Sequence, residues 1–355
     1  MSETKKPTAL VTGAYGFVGP HMIKLLIDNG FGVIATDHPN AKPKPLPYNV
    51  EYQPCDLANF SDVASLIAKH RPNVEFLVAS IFRYDVPREK ILKTNHAIMR
   101  NCLEATRKYN PDVQHIVAWI SASVYGESFR KSKNVNEGHI IIDQPLSENS
   151  PMRPRNAYEE SKALQHMICQ EYEDLPITEI FPMAIYGPGG NYGAMVIIDM
   201  MAKNQLPGFP CGGKNRISLV HVSDVCRAAL FLAKRQDTIG KCFNLGDRSS
   251  YTIKDLMLWL KKEFERVGIR VDLFPVSYPM WLMKFFAWQS ERIARKYNHP
   301  PLVQRDFLGY FERGYNFLVS SESIRNLGFR FQYNDPLLDG GLRETIEWMR
   351  EEGLI

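Results

Sequence analysis

Long hydrophobic runs are missing from this sequence of 355 residues. None reaches the roughly 20 consecutive apolar residues that a membrane-spanning helix needs. The chain also does not begin with a basic segment followed by an apolar core, which is the pattern of a secretory signal peptide. We therefore expect neither an integral membrane protein nor a secreted one, and we predict a cytoplasmic location.

The sequence also has no large excess of positive or negative charge. Lysine and arginine total 43 and aspartate and glutamate total 39, so the formal net charge is only +4. Nucleic-acid binding usually depends on a clustered basic surface, whereas the basic residues here are scattered. We therefore expect no nucleic-acid partner.

Metal-ligand and disulfide patterns are also lacking. The six cysteines are far apart and form no CxxC pair, and the nine histidines form no HExxH motif. Zinc sites and redox-active cysteine pairs depend on such short spacings. We predict no metal site, and we interpret the cysteines as small core residues in a reducing compartment.

The sequence does contain a glycine-rich turn between a predicted strand and a predicted helix. Thr8–Thr12 has the apolar, β-branched composition of a buried strand, and Gly13, Gly16 and Gly19 follow it, ahead of the amphipathic segment Met22–Asn29. Glycines in this position allow a tight turn and let backbone N–H groups approach a pyrophosphate at the helix N-terminus. The pattern predicts a dinucleotide-binding site.

Asp37 ends the next predicted strand, Phe31–Asp37. An acidic side chain in this position accepts hydrogen bonds from the ribose hydroxyls of a dinucleotide and repels a 2′-phosphate. No arginine follows it, because the next residues are His38, Pro39 and Asn40. The sequence therefore favours NAD over NADP, although a surface aspartate at a strand end is the simpler alternative.

Strand and helix patterns alternate along the first half of the chain. Further strands are predicted at Val50–Cys55, Val74–Ser80, Val113–Ser121 and Pro176–Pro182, with helices between them. This alternation is typical of an α/β fold with a doubly wound parallel sheet, the Rossmann arrangement. After residue 182 the alternation stops, which indicates a smaller mixed α/β C-terminal lobe. We assign residues 1–181 to the NAD-binding domain, to which 217–247 return, and 182–216 and 248–355 mainly to the substrate-binding lobe.

Tyr158 and Lys162 stand four residues apart in the segment Asn156–Lys162. On a helix this spacing places both side chains on one face, about 5–6 Å apart at Cβ. A nearby cation favours the phenolate and lowers the pKa of a tyrosine, which is usually about 10. The pair is a candidate for proton transfer, although a solvated Tyr–Lys pair has the same spacing.

Ser121 ends a predicted strand, where a serine either binds a substrate oxygen or caps a turn.

The segment Pro279–Tyr297 combines many large apolar residues with a basic end. Apolar residues nearly encircle its first half, so we expect a helix that is buried or covered. Core packing or a dimer contact is the simplest interpretation. The alternatives are a hydrophobic wall for a lipid-like substrate and a peripheral membrane contact through residues 281–296.

Taken together, these motifs resemble the extended short-chain dehydrogenase/reductase family, which is the NAD-dependent epimerase/dehydratase superfamily. The resemblance covers almost the whole chain. Its matching segments are Thr12–Gly19, Asp37, Asp56 with Leu57, Asn95, Ser121–Gly126, Tyr158 with Lys162, Tyr186–Pro188, Val220–Val225 and Phe243–Gly246. Their order and spacing make the resemblance specific.

The resemblance implies a role for each matching residue. Tyr158 corresponds to the general acid/base, Lys162 to the lysine that binds the nicotinamide ribose, and Ser121 to the catalytic serine. The implied cofactor-binding residues also include Gly13, Tyr15, Gly16, Phe17, Val18, Gly19, Asp37, Asp56, Leu57, Ala79, Ser80, Asn95 and Pro182. The substrate-binding positions are Ser123, Ala184 and Arg216. The family often forms homodimers through two helices, here 88–109 and 156–172.

The chain departs from the family pattern where the substrate would bind. Relatives that act on nucleotide sugars usually carry Asn where this chain has Ala184, Arg where it has Phe181, and His where it has Leu77. Arg216 is followed by Ile-Ser-Leu rather than by an Asp-aromatic pair. A pocket without those polar groups would leave a diphosphate poorly paired. The pattern therefore leans towards the branch of 3β-hydroxysteroid dehydrogenases and dihydroflavonol reductases.

Three functions follow as expectations. The first is an NAD-dependent oxidoreductase that interconverts a secondary alcohol and a ketone on a largely apolar small molecule. The second is a nucleotide-sugar epimerase or dehydratase with retained NAD. The third is a non-catalytic dinucleotide-sensing protein, against which the complete set of Ser121, Tyr158 and Lys162 argues.

Overall fold

The computed structural model describes residues 6–47, 49–82, 86–126, 145–248, 251–297, 301, 303, 305–312 and 316–355. The strands are β1 Thr8–Thr12, β2 Gly32–Thr36, β3 Val50–Tyr52, β4 Val74–Leu77, β5 His115–Trp119, β6 Ile177–Pro182, β7 Ala184–Tyr186, β8 Phe209–Pro210, β9 Leu219–His221, β10 Cys242–Leu245 and β11 Ser277–Tyr278. The helices are α1 Val18–Asp28, α2 Phe60–His70, α3 Arg88–Tyr109, α4 Ala157–Gln170, α5 Ala194–Ala202, α6 Val222–Ala233, α7 Ile253–Arg266, α8 Met280–Tyr297, α9 Glu322–Asn326 and α10 Gly341–Glu351. Short 3₁₀ helices lie at Ala122–Tyr125, Cys211–Gly213, Gln236–Thr238 and Asp306–Phe311.

A seven-stranded parallel sheet forms the centre of the molecule. Its strand order is β10-β6-β5-β4-β1-β2-β3. All residues of β4, β5 and β6 are buried, as expected for parallel strands that helices cover on both faces. The chain winds outwards in opposite directions from β1 and β4, so a crevice opens between the carboxyl ends of these two strands. The predicted doubly wound sheet is confirmed.

Helices cover the two faces of the sheet as two packed layers. One hydrophobic cluster joins the sheet to α2, α3 and α4, and it continues into α5 and α7. The other joins the opposite face to α1 and α6. All six cysteines are free, and Cys55, Cys102, Cys169 and Cys226 are buried, as the sequence predicts for core residues.

The second half of the chain adds two small parallel sheets beside the main one. β7 pairs with β9, and β8 pairs with β11. Between them, β10 returns to the main sheet, where it pairs with β6. The division of the chain into a cofactor domain and a substrate lobe stays a prediction.

Of the interpretations given for the segment Pro279–Tyr297, core packing is wrong for α8, whereas a dimer contact and a membrane contact stay predictions. Within α8, Ala287 and Ala294 are buried, whereas Trp281 is 71% exposed and Phe286 is 60% exposed. Met280 and Met283 are partly buried and pack against the core, while Leu282, Met283, Phe286 and Ile293 line a cavity. Within the described residues, no helix is long and apolar enough to cross a membrane.

Candidate active site

The glycine turn after β1 is shaped by two close approaches. Gly13 has a φ of +73°, and a Cβ on Gly13 would lie 3.2 Å from the Cα atom of Ala79. A Cβ on Gly19 would lie 2.2 Å from the carbonyl oxygen of Gly13. Any side chain at Gly19 would therefore push α1 away from the turn, which explains why the spacing needs glycine at both ends.

The N-terminus of α1 suits an anion. No side chain caps it, and its first turn contains no acidic residue, so its free N–H groups and the positive end of the helix dipole are not neutralised by the protein. Lys44 bonds to the carbonyl oxygen of Gly16 at 3.1 Å, which adds a positive charge beside the turn. Phe17 and Val18 lie at this helix start, where the sequence places the pyrophosphate.

Asp37, Asp56 and Leu57 meet at the carboxyl ends of β2 and β3. The Asp37 carboxylate accepts hydrogen bonds from the backbone N–H of Tyr15 and of His38, both at 2.8 Å. The N–H of Cys55 donates to the Asp37 carbonyl at 3.0 Å, which holds the segment that carries Asp56 and Leu57 against the end of β2. The residues predicted for the adenosine end of the cofactor are thus neighbours.

Ala79 and Ser80 follow β4 at the crevice. The N–H of Ala79 donates to the hydroxyl of Thr12 at 3.0 Å, which joins the ends of β1 and β4. The Ser80 hydroxyl is buried and has no hydrogen-bond partner among the described residues, although it lines the cavity that also contains Tyr158. Buried polar atoms are nearly always paired, so this hydroxyl fits a polar group of a bound molecule.

Asn95 holds the loop after β4 and has no access to a ligand. It is completely buried, and its side chain bonds to the N–H and carbonyl of Ile81 and to the hydroxyl of Ser161. The resemblance implies that Asn95 contacts the cofactor, but the geometry gives it a positioning role between α3, the loop and α4. Its effect on a cofactor is therefore indirect.

Ser121, Tyr158 and Lys162 line one cavity of about 150 Å³. Ser121 follows β5, and its hydroxyl oxygen lies 2.9 Å from that of Ser123 and accepts a hydrogen bond from the Ser123 N–H. Pro182 and Ala184 line the same cavity. The structure therefore brings the three predicted catalytic residues together with Ser123 and these two predicted site positions.

Tyr158 is fixed by the start of α4 and by an aromatic neighbour. The Asn156 side chain caps the helix by accepting the N–H of Glu159 at 3.0 Å. The Tyr158 ring packs edge-on against Phe82 with 4.4 Å between ring centroids, and Phe82 also contacts Tyr192 at 4.5 Å. Sequence reasoning missed Phe82 and Tyr192, because no motif marks either residue.

Lys162 is buried beneath the cavity with two fixed acceptors. Its ammonium donates to the Trp119 carbonyl at 2.7 Å and to the Gln165 side-chain oxygen at 2.8 Å. Burial lowers the pKa of Lys162 to about 7, because a charge is costly away from water. An ammonium has three N–H donors, so one remains for a ligand or for Tyr158. Gln165 was also missed, although its spacing of three residues from Lys162 places both on one helix face.

The rest of the cavity is apolar. Lys162 is the one charged side chain among the described residues that line it, and most of the others are aliphatic or aromatic. Arg216 is not among these lining residues. Its backbone N–H bonds to Asn316 at 2.8 Å and it pairs with Thr252, while the next residue, Ile217, lines the cavity. The predicted role of Arg216 in substrate binding stays a prediction.

A separate group of metal-ligand residue types comes together on the far side of α4. The potential ligand atoms of His166, Glu179 and Cys242 lie within 4.8 Å of one another, although they come from α4, β6 and β10 and share no sequence motif. The Glu179 carboxylate lies 2.9 Å from His166 Nδ1 and accepts a bond from Gln170 at 2.8 Å. These hydrogen bonds account for the cluster.

Comparisons with known proteins agree with this geometry. The model of the NAD dependent epimerase/dehydratase family matches residues 9–246. UDP-N-acetyl-alpha-D-glucosaminuronate decarboxylase of Bacillus cytotoxicus is 24% identical over 368 residues, which cover 98% of each chain. Sterol-4-alpha-carboxylate 3-dehydrogenase, decarboxylating, of Mus musculus is 24% identical over 310 residues, which cover 86% of this chain and 79% of that relative.

A solved structure supports the fold. UDP-glucose 4-epimerase from Thermotoga maritima, solved with UDP-glucose, superposes with a TM-score of 0.74 at 22% identity and covers 97% of this chain and 99% of its own. The matched range spans the glycine turn, Asp37, Ser121, Tyr158 and Lys162. The resemblance and the predicted cofactor are thus confirmed: this chain belongs to the NAD dependent epimerase/dehydratase family, and its cofactor is NAD.

Proposed function

We propose that this protein is an NAD-dependent oxidoreductase that interconverts a secondary alcohol and a ketone on a largely apolar small molecule. The observation that carries the proposal is the cavity itself, in which Ser121, Tyr158 and Lys162 stand together against apolar walls. Such walls favour an apolar substrate because they offer nothing to pair with a charged group.

NAD, when bound, supplies the hydride acceptor. In the oxidative direction, the Tyr158 phenolate oxygen would take the proton of the substrate hydroxyl, and in the reductive direction the Tyr158 hydroxyl would return that proton. Ser121 holds the reacting oxygen with a hydrogen bond and stabilises the charge that develops on it. In its protonated form Lys162 would hold the nicotinamide ribose and favour the deprotonated form of Tyr158, and its own position is set by Trp119 and Gln165.

The remaining predicted residues fit the cofactor. Gly13, Gly16 and Gly19, with Tyr15, Phe17 and Val18, would hold the pyrophosphate at the start of α1. Asp37 would bind the adenosine ribose, with Asp56 and Leu57 beside the adenine. Ala79, Ser80 and Pro182 would lie along the nicotinamide end, where the Ser80 hydroxyl lacks a partner in the described part of the chain.

A second cavity supports the apolar substrate. It measures about 630 Å³, and Ile197 and Phe311 line both this cavity and the one that contains Tyr158. No charged side chain is among the described residues that line it. Its size falls in the range of small-molecule pockets, about 300–1,000 Å³, so it would accommodate a largely apolar body next to the smaller cavity.

The second candidate is a nucleotide-sugar epimerase or dehydratase with retained NAD. The relatives named for UDP-sugars favour it, since both the decarboxylase and the epimerase carry that substrate in their names. The composition of both cavities argues against this second candidate. Among the described lining residues, Lys162 is the one cation that could pair with the diphosphate of a nucleotide sugar. A non-catalytic role would leave the set of Ser121, Tyr158 and Lys162 without a purpose.

A substrate panel separates these candidates. The purified protein with NAD and a panel of sterols, aryl carbinols and long-chain secondary alcohols is expected to produce NADH, measured by absorbance. UDP-glucose and UDP-N-acetylglucosamine serve as the opposing panel, analysed by chromatography for altered sugars. Conversion of a UDP-sugar without net NADH would overturn the first candidate in favour of the second. Failure of both panels, together with normal NAD binding, would favour the non-catalytic role.

A further inference from the structure

The outer side of α8 forms an exposed aromatic surface, which we define by Trp281, Phe285, Phe286 and Trp288. These side chains are between 39% and 71% exposed. The Phe285 ring centroid lies 5.9 Å from that of Phe286 and 6.1 Å from that of Trp288, so these three rings are in contact, and Trp281 lies one helical turn before Phe285. A contiguous exposed apolar patch on a folded protein usually marks a binding surface.

The C-terminal end of α8 carries cations beside this aromatic surface. Arg292, Arg295 and Lys296 are exposed, and none forms an ion pair with a carboxylate of the described residues. The Arg292 guanidinium instead lies 5.6 Å from the ring centroid of Trp288. The two other charged residues of the helix are already paired, Lys284 with Glu312 and Glu291 with Arg305.

The same helix lines the larger cavity. Phe286 is 60% exposed and Ile293 is 49% exposed, and both are part of the cavity wall. Residues that are both exposed and part of the wall mark the place where the cavity meets the surface. The mouth of the apolar cavity therefore opens beside the aromatic surface.

The aromatic surface, the basic end of α8 and the cavity mouth together indicate which kind of partner binds this surface. Tryptophan is enriched at the boundary between lipid and water, and an apolar helix face with flanking basic residues suits an anionic lipid surface. A second copy of the chain would bring the same unpaired cations and no available carboxylate from α8, because Glu291 is engaged by Arg305. It would also cover the mouth of the cavity.

We propose that α8 docks this protein on the surface of an anionic lipid bilayer. The aromatic surface enters the headgroup region, and Arg292, Arg295 and Lys296 contact the anionic headgroups. The mouth of the larger cavity then faces the acyl chains, so an apolar molecule passes from the bilayer into the cavity without crossing water. That last step rests on the proposed function, whereas the docking itself does not.

Vesicle co-sedimentation without substrate tests the docking. The probes are vesicles of phosphatidylcholine alone and vesicles with about one third phosphatidylserine. We expect binding to the anionic vesicles, weakened by salt, and much weaker binding to the neutral ones. The variant Trp281→Ser/Phe285→Ser is expected to lose at least about tenfold in affinity. The control Leu338→Ser removes a side chain that is 81% exposed outside α8 and should bind like the unchanged protein.

A charge-reversal pair tests the basic end. Arg292→Glu/Arg295→Glu is expected to abolish the preference for anionic vesicles, whereas Lys262→Glu/Arg350→Glu, on exposed positions of α7 and α10, should keep it. No vesicle binding by the unchanged protein would overturn the proposal. So would light scattering that shows a dimer which Trp281→Ser/Phe285→Ser converts to a monomer. Alcohol oxidation in detergent solution is measured separately, so loss of the proposed function and loss of docking are distinguishable.

Discussion

Lys162 stands entirely inside the protein and has no carboxylate partner among its contacts in the described part of the chain. Its pKa falls from the usual 10.5 to about 7 because of burial. Between these values the unfolded chain binds a proton that the folded protein does not, so the free energy of unfolding rises with pH in this window. Below about pH 7 both states are charged and the dependence disappears.

A pH series on the cofactor-free protein tests this. Each pKa unit corresponds to about 1.4 kcal/mol, so from about pH 7 to pH 9 the unchanged protein should gain roughly 1 kcal/mol per pH unit more than Lys162→Met. Denaturant unfolding followed by circular dichroism gives both slopes. Equal slopes would mean that Lys162 keeps its charge in the fold.

Replacement of the Tyr158 hydroxyl separates chemistry from binding. Tyr158→Phe is expected to lower kcat by about 10²–10⁴-fold, the usual contribution of a general acid/base, with unchanged NADH binding by fluorescence. Tyr192→Phe is the matched control, because Tyr192 lines the same cavity and contacts Phe82. It should keep kcat within a few-fold. Full turnover by Tyr158→Phe would remove Tyr158 from the mechanism.

Asp37 sets the expected preference for NAD. Asp37→Ala should weaken NAD binding and narrow the kcat/KM ratio between NAD and NADP, because the repulsion of a 2′-phosphate is lost. The exposed Asp28→Ala on α1 controls for the change in net charge. An unchanged ratio would speak against the ribose role. The Asp37 carboxylate also accepts the Tyr15 N–H, so a small loss of stability should accompany the change.

At the scale of single residues, the sequence predicts the motif residues but not the residues that hold them in position. Ser121, Tyr158 and Lys162 are recognisable because they recur at fixed positions in a motif. Asn95 also matches a motif. Because it is buried, its side chain holds Ile81 and Ser161 in place instead of making the expected contact with the cofactor. Phe82 and Gln165 hold Tyr158 and Lys162 through tertiary contacts, and such contacts depend on the folded arrangement of separate segments.

At the scale of elements, several strands end earlier than their apolar patterns predict. The patterns extend to Cys55, Ser80 and Ser121, whereas β3, β4 and β5 end at Tyr52, Leu77 and Trp119. The residues just beyond β4 and β5 are apolar or small, and Val78, Ser80, Ile120 and Ser121 line the cavity, while Ala79 bonds to Thr12. Hydrophobicity alone does not distinguish residues that pair within a β-sheet from residues that line a cavity at its end.

The cap of α4 links helix stability to the site. Asn156→Ala should cost about 1 kcal/mol of stability and should also lower kcat, because Tyr158 lies in the first turn of that helix. Asn59→Ala removes the corresponding cap of α2, where the side chain accepts the Ser61 N–H. It is expected to cost similar stability with no change in kcat. Parallel urea unfolding and turnover measurements make the comparison, and equal kcat in the two variants would contradict the link.

The environment of α8 could not be predicted from its pattern. Apolar side chains on nearly every side satisfy both a buried helix and a helix with a surface-binding face. In the structure, Ala287 and Ala294 are the buried residues of α8, and its aromatic residues are exposed. Two alanines among larger apolar residues do not mark a contact face in the sequence.

At the scale of the molecule, alternation predicts the parallel sheet and its cofactor edge, because each crossover from strand to helix to strand imposes the same direction. The strands after β6 are less regular. β7, β8, β9 and β11 have two or three residues each and form two separate sheets. The short-range pattern predicts that residues 217–247 return to the first domain, but it does not identify β6 as the strand with which β10 pairs.

A homodimer through α3 and α4 stays a prediction at this scale. Met167 on α4 is 60% exposed, which suits a residue that a partner covers. Met167→Glu is expected to convert a dimer to a monomer in light scattering, because a buried charge without a partner opposes association. Leu338→Glu should leave the dimer intact. A chain that is monomeric without any substitution would refute the prediction.

The wall shared by the two cavities bears on the discovery of inhibitors. Ile197 and Phe311 line both chambers, so a fragment in the small chamber and a fragment in the large one would end close to the same two side chains. A short linker past them would join the fragments and combine their affinities through a high effective concentration. Selectivity over other NAD enzymes would then come from the larger chamber, since the smaller one contains the residues that match the family motif.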